Sequence, residues 1–213
     1  MDDHADTGLL EGAEDGLCRC RWAGQDPLYR QYHDKEWGRP VGCDRRLFEK
    51  LCLEGFQAGL SWITILRKRD AFREVFHGFE IERVAAMGES DVDRLVADAR
   101  IIRHRGKIEA VIGNAKATAA VIEAEGSLAS FLWAHEPAAT ERPDQVTPEW
   151  IRANPVTPAS RRLSAALRKA GFRFVGPTTC YAFMQSMGFV NDHYPRCHVR
   201  EACERDRAAF VRP

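Results

Sequence analysis

The sequence predicts an all-α fold. Three observations carry this. Apolar residues recur at helical spacing along most of the chain. No run alternates β-branched and polar residues as a half-buried strand would, and no segment repeats with the period of a solenoid or propeller. Cap residues such as Asp44, Ser61 and Thr157-Pro158 stand at the starts of the periodic stretches.

The elements follow in order. Cys18-Arg19-Cys20 opens the part expected to be ordered, and Asp26-Pro27 marks a turn or helix start before Leu28–Asp34. Gly38-Arg39-Pro40 breaks the chain. Asp44 then suits an N-cap, with Leu47, Phe48, Leu51, Cys52 and Phe56 on one helical face. Glu54 lies near the end of that helix, and Gly55 and Gly59 flank its exit, where backbone can approach a ligand closely. Ser61 suits the cap of a second helix carrying Ile63, Leu66, Phe72, Val75 and Phe76, and Ser90-x-x-Asp93 has the form of a capping box. Arg103–Glu125 is one long Ala-rich helix. Ala134–Pro158, with five prolines, is a loop holding at most short helical turns. Thr157-Pro158 pairs a cap with proline at the first helical position, and this helix stops at Gly171. Val175-Gly176-Pro177 starts the next, through Phe183 to Gly188.

The 213 residues, 45% of them hydrophobic, suit one domain or two small lobes on a shared core. No apolar run is long enough to cross a bilayer, and no basic segment followed by an apolar core opens the chain, so a cytoplasmic protein is expected. Formal net charge is zero, which at first argues against nucleic acid. Residues 1–17, however, hold six acids and no Lys or Arg, and beyond them stand 31 basic and 25 acidic residues, a net of +6. The expectation is a disordered acidic arm before a mildly basic body. Arg100–Lys107 and Arg161–Arg173 are the densest basic stretches.

Seven cysteines, an odd number without an export signal, favour metal binding or burial over a disulfide framework. His193-x-x-x-Cys197 puts two ligand types on one helical face, and Cys20 and His33 stand thirteen apart near the other end. Together they form a closed set of two sulfurs and two imidazole nitrogens, suited to structural zinc. Cys18, Cys43, His198 and Cys203 are rival ligands, and each Cys or His taken alone is explained by burial or exposure. Val175-Gly176-Pro177-Thr178-Thr179, between two expected helices, has the form of a helix-hairpin-helix turn, whose backbone N–H groups grip a DNA phosphate without reading sequence. Glu54, finally, stands among Tyr29, Tyr32, Trp37 and Trp62, as a pocket for a flat ring with positive charge or N–H donors would require. A deep aromatic pocket on a DNA-binding helical domain suggests base flipping.

Longer motifs support that suggestion. Cys20-Arg21-Trp22, Gln25-Asp26-Pro27-Leu28-Tyr29, Tyr32-His33-Asp34-x-Glu36-Trp37-Gly38, Leu53–Trp62, Ile101–Lys107, Gly171–Gln185 and Asn191-Asp192-His193 resemble the 3-methyladenine DNA glycosylase I family, over roughly Cys20 to Cys197. The resemblance implies the helix-hairpin-helix glycosylase fold, with an added structural zinc site joining the N- and C-terminal segments. It divides the chain into the arm 1–17, a single helical domain 18–198 with the base pocket between two lobes, and a divergent tail 199–213. It puts zinc on Cys20, His33, His193 and Cys197. It makes Glu54 the base-binding and catalytic acid, with Trp22, Tyr29, Tyr32, Trp37 and Trp62 as pocket rings. It assigns DNA-backbone contacts to Gly176, Thr178, Thr179, Arg105 and Lys107.

The implied function is monofunctional hydrolysis of the N-glycosidic bond of 3-methyladenine, and of 3-methylguanine as a further candidate, in alkylated double-stranded DNA, by a monomer. In related glycosylases a catalytic aspartate follows the hairpin's second helix. Alignment puts Asn191 in that slot, with Asp192 one position away as an alternative acid. Lyase activity is not expected, because no lysine is seen to fall in the pocket and Lys107 and Lys169 lie in the basic stretches. A zinc-dependent DNA-binding module without catalysis, and a small-molecule metallohydrolase with an open metal position, are the competing readings.

Overall fold

The computed structural model describes residues 8–12 and 14–213. Helices α1 (Pro27–Lys35), α2 (Asp44–Gln57), α3 (Trp62–Arg67), α4 (Arg69–Val75), α5 (Ile81–Ala85), α6 (Glu89–Ala97), α7 (Arg105–Glu125), α8 (Leu128–Trp133), α9 (Pro148–Ala153), α10 (Pro158–Lys169), α11 (Pro177–Ser186) and α12 (Arg200–Ala209) follow one another along the chain. Helix α2 lies at the centre. From Lys50 through Phe56 every residue is buried, so the helix is covered on all sides, by α3, α7, α8 and α11 among others. One continuous core, rich in Phe48, Phe56, Phe72, Phe76 and Phe79, runs from Tyr32 to Val190.

The long α7 begins at Arg105 and ends against Gly126, whose φ of 84° lies in the left-handed region that glycine favours. Its Asn114 clamps the turn between α10 and α11. The Asn114 amide donates to the Arg173 carbonyl (3.1 Å) and accepts from the Arg173 N–H (2.8 Å). Ser164 Oγ donates to the Val175 carbonyl (2.6 Å), fixing the turn from the α10 side. Gly55 lets α2 approach this turn, since a Cβ there would stand 3.2 Å from Phe174 Cβ.

Several local expectations change in the folded chain. Residues 9–11 of the acidic arm, expected to be disordered, pair antiparallel with Cys18–Cys20 as β1 (Leu9–Glu11) and β2 (Cys18–Cys20). The ribbon is held by Arg19, which reaches Asp15 (2.8 Å) and Asp34 (2.8 Å) together. The first seven residues of the arm lie outside the described residues. Asp44 does not cap its own helix. Its carboxylate accepts the Leu128 and Ala129 N–H groups at the start of α8 (3.1 and 2.8 Å). Ser90 does not open a capping box: the N-cap of α6 is Gly88, whose N–H donates to the Asp91 carboxylate (3.1 Å), half of such a box without the side-chain cap. Thr157 caps α10 as expected, accepting from the Ser160 N–H (3.2 Å), with Pro158 in the first turn. The segment after Cys197 forms α12, whose Cys203 is fully buried. Phe210 beyond it packs 4.7 Å from Trp133, and Trp133 stacks at 4.0 Å on Phe189. Among the described residues no helix is long and apolar enough to cross a membrane.

Candidate functional site

A cavity of about 210 Å³ opens beside the central helix, lined by Trp22, Tyr29, Tyr32, Trp37, Glu54 and Trp62. These six are the pocket residues expected from the sequence. The 3-10 turn Arg21–Ala23 supplies Trp22, α1 and its exit supply the two tyrosines and Trp37, α2 supplies Glu54, and α3 supplies Trp62. The rings brace one another: Trp22 lies 5.1 Å from Tyr29 and 5.0 Å from Trp37, and Tyr32 lies 5.3 Å from Trp62. Gln57, Ile151, Ala182, Gln185, Asp192 and Tyr194 complete the lining. Of these, Gln57 had a sequence signal, since it lies three residues after Glu54 on the same helical face. Trp62 Nε1 is a buried donor with no acceptor among the described residues.

Glu54 is only 5% exposed, and its Oε1 lies 2.8 Å from Lys50 Nζ, one helical turn earlier. Lys50 also donates to the Tyr32 hydroxyl (2.7 Å). Lys50 does not line the cavity, but helical spacing carries it inward behind Glu54. Burial pushes the Lys50 ammonium down to about 8, against the opposing pull of Glu54. Burial, with the Glu54 charge beside it, pushes the Tyr29 phenol up to about 12.

Behind the rings, Cys20, His33, His193 and Cys197 are all buried, with their candidate ligand atoms within 4.8 Å of one another. Cys197 Sγ lies 3.5 Å from both His33 Nε2 and His193 Nδ1, and Cys20 Sγ lies 3.7 Å from His193 Nδ1. Tetrahedral zinc with ordinary Zn–S and Zn–N bonds requires S···N edges of about 3.6 Å, so this donor set fits such an ion. The outer ring nitrogens are engaged: His33 Nδ1 with Asp34 (2.8 Å) and His193 Nε2 with the Trp37 carbonyl (3.1 Å). Hydrogen bonds from Cys20 and the two imidazoles pull the Cys197 thiol well below its ordinary pKa, toward the thiolate that a metal takes. The rivals fall elsewhere. His198 reaches Asp34 (2.9 Å), Cys43 is exposed, and Cys203 lies against the Trp37 carbonyl.

The two candidates for the aspartate slot face different ways. Asn191 donates to the Arg200 carbonyl (3.0 Å) and Glu204 (2.9 Å), toward α12. Asp192 lines the cavity, but Tyr181 (2.5 Å), Gln185 (2.9 Å) and Arg142 all donate to its carboxylate. At the hairpin, Gly176 stands at the N-cap of α11, with Thr178 exposed and Thr179 half-buried in its first turn. Arg168 and Arg173 are exposed beside it. Arg105 is exposed but paired with Glu89 (2.8 Å) and Asp93. Lys107 requires a correction. It is 7% exposed, and its ammonium donates to the Phe56 and Ala58 carbonyls (2.9 and 2.6 Å), so it holds the end of α2 rather than facing a phosphate.

A family model described as methyladenine glycosylase matches residues 22–201. DNA-3-methyladenine glycosylase 1 of Escherichia coli (strain K12) is 52% identical over 182 residues, covering 84% of this chain and 95% of the relative. The DNA-3-methyladenine glycosylase of Haemophilus influenzae is 48% identical over 183 residues, covering 84% and 96%. A solved structure of 3-methyladenine recognition by the Staphylococcus aureus enzyme matches with a TM-score of 0.79 at 35% identity, covering 85% of this chain and 96% of that one.

Proposed function

The chain belongs to the methyladenine glycosylase family, and from that premise we propose how its pocket performs the reaction. The activity is that of a DNA-3-methyladenine glycosylase, a hydrolase acting on 3-methyladenine in alkylated DNA. The observation that carries the site assignment is Glu54, a buried carboxylate in a cavity walled by six aromatic rings.

The lesion is flipped from the stack into this cavity. Glu54 accepts hydrogen bonds from the adenine edge and disfavours bases that present acceptors there. Trp62 and its neighbours stack on the cationic ring, at a gain of about 1–3 kcal/mol. A 3-methylated adenine already carries positive charge. When its glycosidic bond breaks, the bonding pair returns to the ring and the base leaves neutral, while water adds to the sugar carbon and gives up a proton. Positioning and electrostatics therefore suffice. The donors on Asp192 support a structural role for it. Gly176, Thr178 and Thr179 grip a phosphate at the start of α11, with Arg168 and Arg173 alongside. Arg105 joins them only by leaving its acidic partners. The metal is zinc; its four protein ligands close the coordination shell, so it ties the two ends of the domain together and takes no part in the reaction. The enzyme works as a cytoplasmic monomer.

The test is release of bases from methylated duplex DNA, identified by chromatography, with Glu54→Gln alongside. Release of 3-methyladenine but not 7-methylguanine, weakened in the variant, supports the assignment. Undiminished release by Glu54→Gln removes Glu54 from its role.

A further inference from the structure

Lys50 has no part in the mechanism so far, yet it touches three groups of the pocket wall. Its Nζ lies 2.8 Å from Glu54 Oε1, 2.7 Å from the Tyr32 hydroxyl and 3.2 Å from the centroid of the Trp62 ring. It does not line the base cavity. It lies behind it, against a second cavity of about 60 Å³ shared with Glu36 and Arg69. A lysine only 5% exposed is costly to bury, and an apolar side chain would pack this position without that cost.

The charge balance of the reaction gives it a use. A lone Glu54 attracts the cationic base most strongly before the bond breaks and loses that attraction as the base becomes neutral. Such binding stabilises the substrate more than the transition state and slows the step. Lys50 offsets the Glu54 charge while leaving an acceptor oxygen for the base. It also places a cation on Trp62, weakening the pull of that ring on a second cation. We propose that Lys50 is a positioning residue that cancels the pocket's preference for the charged base, so that charge passes to the sugar unopposed.

This rests on the base pocket assigned above. The titratable and charged groups around Lys50 are Tyr32 and Glu36 from the α1 side, Arg46, Glu49 and Glu54 on α2, and Arg69 and Arg73 on α4. Single-turnover release of 3-methyladenine from methylated DNA, measured against enzyme concentration, tests it. Lys50→Met should lower the maximal rate on the order of ten-fold, as expected within a shared ion-pair network, while its half-saturating concentration falls. The unsubstituted protein should lose rate above about pH 8, where the ammonium deprotonates, and Lys50→Met should not. An unchanged maximal rate, or a loss of rate with weaker binding, overturns the proposal. If thermal melting shows Lys50→Met unfolded, Lys50→Met/Glu54→Gln is compared with Glu54→Gln. Tighter binding with a slower maximal rate in the pair supports the proposal, and equal values overturn it. Glu54→Gln behaving as the unsubstituted protein would overturn the pocket assignment instead.

Discussion

Replacing Lys107 by Met separates a structural lysine from a DNA contact. The methionine keeps most of the apolar stem but removes the donor to the Phe56 and Ala58 carbonyls at the end of α2. The Phe56 carbonyl is buried, and left without a partner it costs about 1–3 kcal/mol, whereas the carbonyl of exposed Ala58 can turn to water. Losing a cation at a helix C-terminus adds about 0.3–1 kcal/mol. Relief from burying the ammonium, which lowers the Lys107 pKa, offsets part of this. A net loss of about 2 kcal/mol is expected, or roughly 4–8 °C in melting temperature for a domain of this size. Thermal and urea unfolding measure it. The salt dependence of DNA binding supplies the second reading. A phosphate contact would reduce the slope of log K against log salt by about 1 when removed, whereas a lysine committed to α2 leaves it unchanged. Full stability with a reduced slope would refute the assignment.

Cys197→Ser should release the metal, measured as metal content per chain, and cost more than about 4 kcal/mol, as loss of a structural metal can. Base binding should weaken with it, because His193 supports the Trp37 carbonyl. Asp192→Asn leaves the half-buried Arg142 without its carboxylate and should cost about 3 kcal/mol. The rate of the folded variant should stay within a few-fold. Abolished release from a fully folded Asp192→Asn protein would make Asp192 the acid instead.

Much of the helical order was legible because apolar periodicity and caps such as Thr157 are local signals. The buried Cys20, His33, His193 and Cys197 cluster and the rings that line the cavity were legible because their residue types are few and chemically specific. What misled was charge. In a sequence, Lys107 and Arg105 in one basic run look alike, but only packing against α2 buries the first. Lys50 was overlooked for the same reason. Asp44 looked like a local cap because its partners lie 84 and 85 residues away. The opposite facing of Asn191 and Asp192 depends on the backbone path between α11 and α12, which one-residue spacing does not specify. The β1–β2 ribbon is too short to show a period and exists only through its pairing and the grip of Arg19.

The buried Cys2His2 cluster, as a candidate metal site, also constrains the order of assembly. Cys197 and His33 meet across 164 residues of sequence, with the whole helical core between them. During synthesis Cys20 and His33 emerge long before their partners, and two ligands alone hold an ion weakly. Closure of the site is therefore a late event, following collapse of the core rather than nucleating it, since contacts this distant are slow to form. Metal scarcity would then leave a chain with its helices formed and its two ends unjoined. The unfinished state would lie at the pocket wall, where Trp22 and Trp37 rest on the cluster.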